Sequence, residues 1–202
     1  TGVTAAQNED GNITVVDLLN NKEDYAKWKE MVGKQIDSAE NSKQLFFLLN
    51  KPYYLTFLKF SAPVLSQEDL GHLLADAWIL EECPNQDRNV SKRELLALFR
   101  SVPPEFLMNQ EERAAYKSLE DIVTVYRGVT SYNVKNVTLD RDTAEWFAHR
   151  FGEEGTVYEA QIPKEHILAY FNGRNESEVV VDPKYLEQIM ESPKPEMGMQ
   201  MT

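Results

Sequence analysis

Residues 122–129 read IVTVYRGV, and this stretch decides the fold class. It is β-branched and aromatic, the composition of a strand lying on a half-buried pleated surface. Before it the chain reads as helices. After it, short alternating runs recur. Helices first and strands afterwards predict an α+β protein with a helical N-terminal half and a small sheet behind it.

Upstream, EDYAKWKEMVGKQI places Tyr25, Trp28, Met31, Val32 and Ile36 at helical spacing. KQLFFLLNKPYYLTFLKF is strongly apolar, and Pro52 divides it into two short segments. In SQEDLGHLLADAWILEE, Ser66 is an N-cap, and Leu70, Leu73, Leu74, Ala77, Trp78 and Leu80 form an apolar face with His72 beside it. Ser91 with Glu94, and Asn109 with Glu112, have the spacing of capping boxes.

Downstream, LDRDTAEWFAHRFG reads as a helix capped by Asp140 and closed by Gly152. Trp146 and Phe147 are expected to be core residues. GTVYEAQI and ILAYF read as strands, NGRN as a turn, SEVVVD as the last clear strand and PKYLEQIM as a short helix with proline in its first turn. Residues 1–12 thus read as a flexible N-terminus, 13–119 as a helical region, 120–190 as the β-rich core and 191–202 as a flexible tail, together forming one compact unit.

The chain has 202 residues and a net charge of −12. An acidic surface disfavours a long nucleic-acid track, although it leaves room for a single base in a pocket. Cys83 is the only cysteine, so no intramolecular disulfide forms, which suits a reducing compartment. Three histidines without a Cys/His cluster point away from a metal site. No apolar run approaches the roughly 20 residues of a membrane span, and no signal peptide is evident. A cytoplasmic setting is expected, either native or reached by delivery as an effector. The four Asn-x-Ser/Thr triplets are then chance matches.

The chemistry concentrates in the β-rich part. Arg127 stands inside an apolar strand, where a guanidinium needs an anion: a protein carboxylate such as Glu178, or a ligand phosphate. Glu176 and Glu178, at the head of a β-branched run, are expected to share one strand face. Two carboxylates so close repel each other, and burying either is costly without a partner. Such a pair suits a sugar, since a carboxylate binds ribose hydroxyls and stabilises an oxocarbenium ion.

The order of YRG, a short polar strand leading into LDRDTAEWFA, and then Glu-x-Glu before a β-branched strand resembles the mono-ADP-ribosyltransferases of the arginine–serine–glutamate class, which includes bacterial toxins. It covers roughly Ile122 to Pro183. The resemblance implies a split sheet of that type, NAD as substrate, no metal, and transfer of ADP-ribose to a macromolecule, an arginine side chain of a protein by preference. Arg127 would hold a phosphate or ribose of NAD, and Gly128 would let the backbone approach the nicotinamide amide. Asn136 and Thr138 would steady the glutamate and the nicotinamide ribose, and Tyr132 would stack on nicotinamide. Glu178 would hold the ribose and stabilise the oxocarbenium ion, while Glu176 would position the acceptor. The family usually has serine where Asn136 stands. That departure keeps open a binding module of the same fold with weak or no catalysis. An NAD glycohydrolase, related in its leaving step to a carboxylate-pair glycosidase, also stays open.

Overall fold

A β-hairpin opens the described chain. The computed structural model describes residues 2–7, 11–81, 87–130, 137–152, 154–186 and 190–191. Strands β1 (Val3–Gln7) and β2 (Ile13–Asp17) pair antiparallel. This corrects the reading of a frayed terminus followed directly by helix. Alternation in ITVVD buries Val16 while Ile13 and Val15 stay exposed. The Asp17 carboxylate ends the strand by accepting from the backbone N–H groups of Leu19 and Asn20, both at 3.0 Å. Those bonds hold its carboxyl below the usual range, with Asn20 contributing most.

Asn21 then caps α1 (Lys22–Asp37), and Asn41 caps α2 (Ser42–Phe47). Helix α1 forms where its periodicity predicts it, yet no residue of it is buried. These elements belong to a first unit, Thr1–Asn50, and the rest of the chain forms a second, Lys51–Thr202.

The second unit begins with a 3₁₀ turn at Lys51–Tyr53 and α3 (Tyr54–Ser61), so Pro52 does separate two short helices. Helix α4 (Gln67–Leu80) starts at the Ser66 cap and buries Leu70, Leu73, Leu74, Ala77 and Trp78, while His72 is exposed. Helix α5 (Lys92–Ser101) and α7 (Gln110–Ser118) open with the two expected capping boxes, and α6 (Pro104–Leu107) lies between them. Each such cap satisfies backbone donors that a helix end leaves free, contributing about 1 kcal/mol.

Strand β3 (Ile122–Val129) starts the sheet, followed by β4 (Val137–Thr138), helix α8 (Arg141–His149), β5 (Thr156–Pro163), β6 (Ile167–Phe171), β7 (Glu178–Val181) and β8 (Met190–Glu191). The sheet is antiparallel with order β6-β7-β4-β3-β5-β8. All four residues of β7 are buried, which fits their near-continuous apolar character. Helix α8 lies over β3, with Ala144 and Ala148 packed beside Val157 and Tyr126. The close approach needs a residue without a side chain. A Cβ on Gly128 would stand 2.3 Å from the Ala144 carbonyl oxygen and 2.9 Å from the Ala148 nitrogen.

Phe147 is buried as expected, but Trp146 is 59% exposed and carries the Arg150 guanidinium over its ring, correcting its assignment to the core. After β7 the expected helix is a 3₁₀ turn at Pro183–Tyr185. Met190–Glu191 pairs with β5 as a strand, where the sequence reads as the end of that helix and the first residue of the tail. Helices followed by an antiparallel sheet make this an α+β protein.

Candidate active site

Arg127, Thr138 and Glu178 lie far apart in sequence, yet the fold sets them on three neighbouring strands, β3, β4 and β7. Tyr126 pairs with Thr138, and Thr138 pairs with Glu178, so these three form one row across the sheet. Arg127 stands one residue off that row, beside the Val137–Val179 pair. Arg127, Val137 and Val179 line a cleft of about 90 Å³, closed on its other sides by Trp78, Phe99 and Leu186 among others. Burial holds the Arg127 guanidinium below its ordinary pKa.

Trp78 joins the two settings. Its ring lines the cleft with Arg127, and its indole Nε1–H donates to Glu178 Oε1 at 2.9 Å. Phe99 packs edge-on against the same ring, with centroids 5.2 Å apart, and fixes its orientation. The other oxygen of Glu178 accepts from Arg174 Nη2 at 3.0 Å. Glu178 is 3% exposed. Burial raises its carboxyl above the ordinary range. The Arg174 charge and the Trp78 and Arg174 hydrogen bonds act against that rise, while Glu176 adds to it.

Glu176 reaches the same guanidinium: its Oε2 lies 3.1 Å from Arg174 Nη2. The two carboxylates therefore do converge, but not by the pleat of a strand. Strand β7 begins at Glu178, and Ser177 between them has φ 44°. That left-handed turn, with Asn175 at φ 57°, swings Glu176 round. The expectation of one shared strand face is corrected to a loop and a strand end meeting at one arginine.

Thr138 steadies the pair, although through the backbone. Its hydroxyl donates to the Glu176 carbonyl at 2.5 Å and accepts from the Asp140 N–H at 3.0 Å. The Leu139 N–H adds a bond to the Ser177 carbonyl at 2.9 Å. One threonine thus fixes the glutamate loop and the start of α8 together. Gly128, for its part, is accounted for by the packing of α8 on β3. Asn136 and Tyr132 lie outside the described residues, as does Cys83.

Two residues of the site went unread in the sequence. Arg174 sits in NGRN, four residues before Glu178, where a turn assignment hides an ion pair. Trp78 falls on the apolar face of α4, and nothing local marks its indole N–H for a carboxylate 100 residues away. Among the described residues, no group of three or more His, Cys, Asp or Glu could hold a metal ion. Nor is any described helix long and apolar enough to cross a membrane.

Comparison with known proteins finds no matching family model, no similar curated protein and no similar solved structure.

Proposed function

We propose that the protein is an NAD-dependent mono-ADP-ribosyltransferase acting on a macromolecular acceptor, with an arginine side chain as the preferred target. The observation that carries this reading is the placement of Arg127, Thr138 and Glu178 on adjacent strands, with Glu176 beside Glu178. Trp78, which lines the Arg127 cleft and donates to Glu178, links the two parts of such a site.

The chemistry follows from the side chains. Arg127 binds a phosphate or ribose of NAD through its guanidinium fork. The cleft it lines is smaller than the roughly 300–1,000 Å³ of ordinary ligand pockets, so it takes one end of the dinucleotide while the rest runs across its mouth. Glu178 holds the nicotinamide ribose and faces the positive charge that grows at C1′. The C1′–nitrogen bond breaks, and nicotinamide leaves with the bonding pair. A nitrogen of the acceptor guanidinium then forms the new bond to C1′ and releases a proton to Glu176. Burial strengthens the electrostatic part, because a fixed carboxylate acts more strongly where water is excluded.

A second reading, a binding module or slow NAD glycohydrolase, draws on the closed state of Glu178. Both of its oxygens are already engaged, one by Trp78 and one by Arg174. Incubation of the protein with labelled NAD and cell lysate separates the readings. Transfer of label to material sensitive to protease supports a protein acceptor, and sensitivity to nuclease supports a base. Nicotinamide release without label transfer supports the glycohydrolase. Saturable NAD binding without release supports the binding module.

A further inference from the structure

Arg174 occupies the place that an acceptor guanidinium would take. Its Nη2 bridges the two carboxylates, 3.1 Å from Glu176 and 3.0 Å from Glu178, while Nη1 lies 3.5 Å from the Glu81 carbonyl. A guanidinium can instead grip a carboxylate with two parallel N–H bonds, which is the stronger geometry. Bridging through one nitrogen leaves that grip on Glu176 open to a rival.

The fold anchors the Glu178 carboxylate and the Glu176 backbone, while the Arg174 head group is held through the two carboxylates and the Glu81 carbonyl. Glu178 is anchored by Trp78 and by its pairing in the sheet. Glu176 is tied through its carbonyl to Thr138. Arg174 rides on the 172–177 loop between β6 and β7, and its side chain is 30% exposed. The bonds that shape this loop, Asn175 N–H to the Asn172 carbonyl at 2.9 Å and Ser177 N–H to Asn172 Oδ1 at 3.1 Å, leave the Arg174 head group out. Rotation of one long side chain therefore vacates the site without breaking the loop or the sheet.

We infer that Arg174 is an internal occupant of the guanidinium subsite formed by Glu176 and Glu178, and that an external guanidinium binds by displacing it. The inference rests on the proposed reading of the two glutamates, but its binding half needs no NAD. While seated, Arg174 neutralises a carboxylate pair that would otherwise repel, and it blocks the acceptor. An incoming arginine side chain restores the same neutralisation, so the exchange leaves no buried carboxylate unpaired. A lysine-type ammonium replaces the fork poorly, which gives the subsite a preference for guanidines.

The test uses the full chain without NAD. Ethylguanidinium is titrated into wild type and Arg174→Gln, following the indole N–H resonance of Trp78, which reports on Glu178. A Trp78→Phe sample assigns the signal. The inference expects ethylguanidinium to bind Arg174→Gln at least about tenfold more tightly than wild type, with ethylammonium gaining much less. Adding Glu176→Gln to Arg174→Gln should remove the gain. Equal affinity in wild type and Arg174→Gln, or a gain that persists without Glu176, overturns it. If Arg174→Gln does not fold, Arg174→Lys takes its place, since it keeps one charge and loses the fork. A smaller gain in affinity then supports the inference, and unchanged affinity overturns it. Adding NAD separates the two ideas. A transferase shows the gain as a lower KM for ethylguanidinium in the Arg174 variant. If no variant releases nicotinamide while the binding gain persists, the transferase reading fails and the internal-occupant inference stands.

Discussion

Replacing Gly128 with alanine tests the packing that aligns β3. Gly128 is not at positive φ, so the backbone itself accepts alanine. The obstacle is steric. The new Cβ would lie 2.3 Å from the Ala144 carbonyl oxygen, 2.9 Å from the Ala148 nitrogen and 3.0 Å from Phe147 Cβ. Ordinary contact for such atoms begins near 3.4 Å, so α8 must retreat by about 1 Å, and two of the three obstructing atoms are backbone. Overpacking of this kind costs about 1–3 kcal/mol. Because β3 is held between β4 and β5 and cannot yield, the upper end of that range applies. In a chain of this size 1 kcal/mol moves Tm by about 2–4 °C, so a fall of about 6–12 °C is expected. Thermal unfolding followed by circular dichroism, with urea titration as a check, measures it. A Gly128→Ala variant melting within a degree of wild type would refute the packing argument and return Gly128 to a purely ligand-facing role.

Three further outcomes are expected. Glu81 is buried, its Oε1 has no hydrogen-bond partner among the described residues, and burial raises its carboxyl from 4.5 to about 7. The native state thus binds this proton more tightly than the unfolded chain, so stability falls as pH rises from about 4.5 to about 7. Glu81→Gln should flatten that part of the Tm–pH curve, and an unchanged slope would assign it to another group. Arg127→Ala should weaken NAD binding, as read by calorimetry, with a smaller effect on Tm. A large Tm loss at unchanged NAD affinity would make Arg127 a structural residue. Glu176→Gln should slow transfer to the acceptor while slow NAD hydrolysis persists, because water needs no guanidinium-binding carboxylate. Equal loss of both rates would place the two glutamates in one donor-side role.

Much of this architecture is legible from local signals. The caps at Ser66, Ser91, Asn109 and Asp140 are short-range chemistry, and they start helices where the pattern places them. Strands β3, β5, β6 and β7 follow from alternation or from β-branched runs. The N-terminal hairpin escaped because VTAAQ carries alanines and polar residues in place of an apolar alternation. Trp146 misled because an aromatic residue next to a buried Phe147 reads as core, while its position on α8 turns it to solvent.

At the site, the motif residues on β3, β4 and β7 could be read because spacing and strand character mark them. Their mutual geometry could not. Ser177 at φ 44° breaks the strand between the two glutamates, and no residue type there announces it, since serine rarely takes that conformation. Arg174 and Trp78 reach Glu178 through a loop turn and through a helix far away in the chain. The Trp78 pairing spans 100 residues and is set by tertiary packing, while the Arg174 pairing, four residues apart, depends on a loop conformation that no periodicity marks.

In the proposed function, Glu178 is the group that faces the developing charge at the ribose. Glu178→Gln keeps the shape and an oxygen for the Trp78 indole, and removes the charge. Nicotinamide release and label transfer from NAD, measured on wild type and this variant at matched folded fraction, test it directly. Both rates should fall on the order of 100- to 1000-fold in the variant, with Tm changed by only a few degrees. Wild-type rates of nicotinamide release in a folded Glu178→Gln protein would contradict a catalytic role for Glu178.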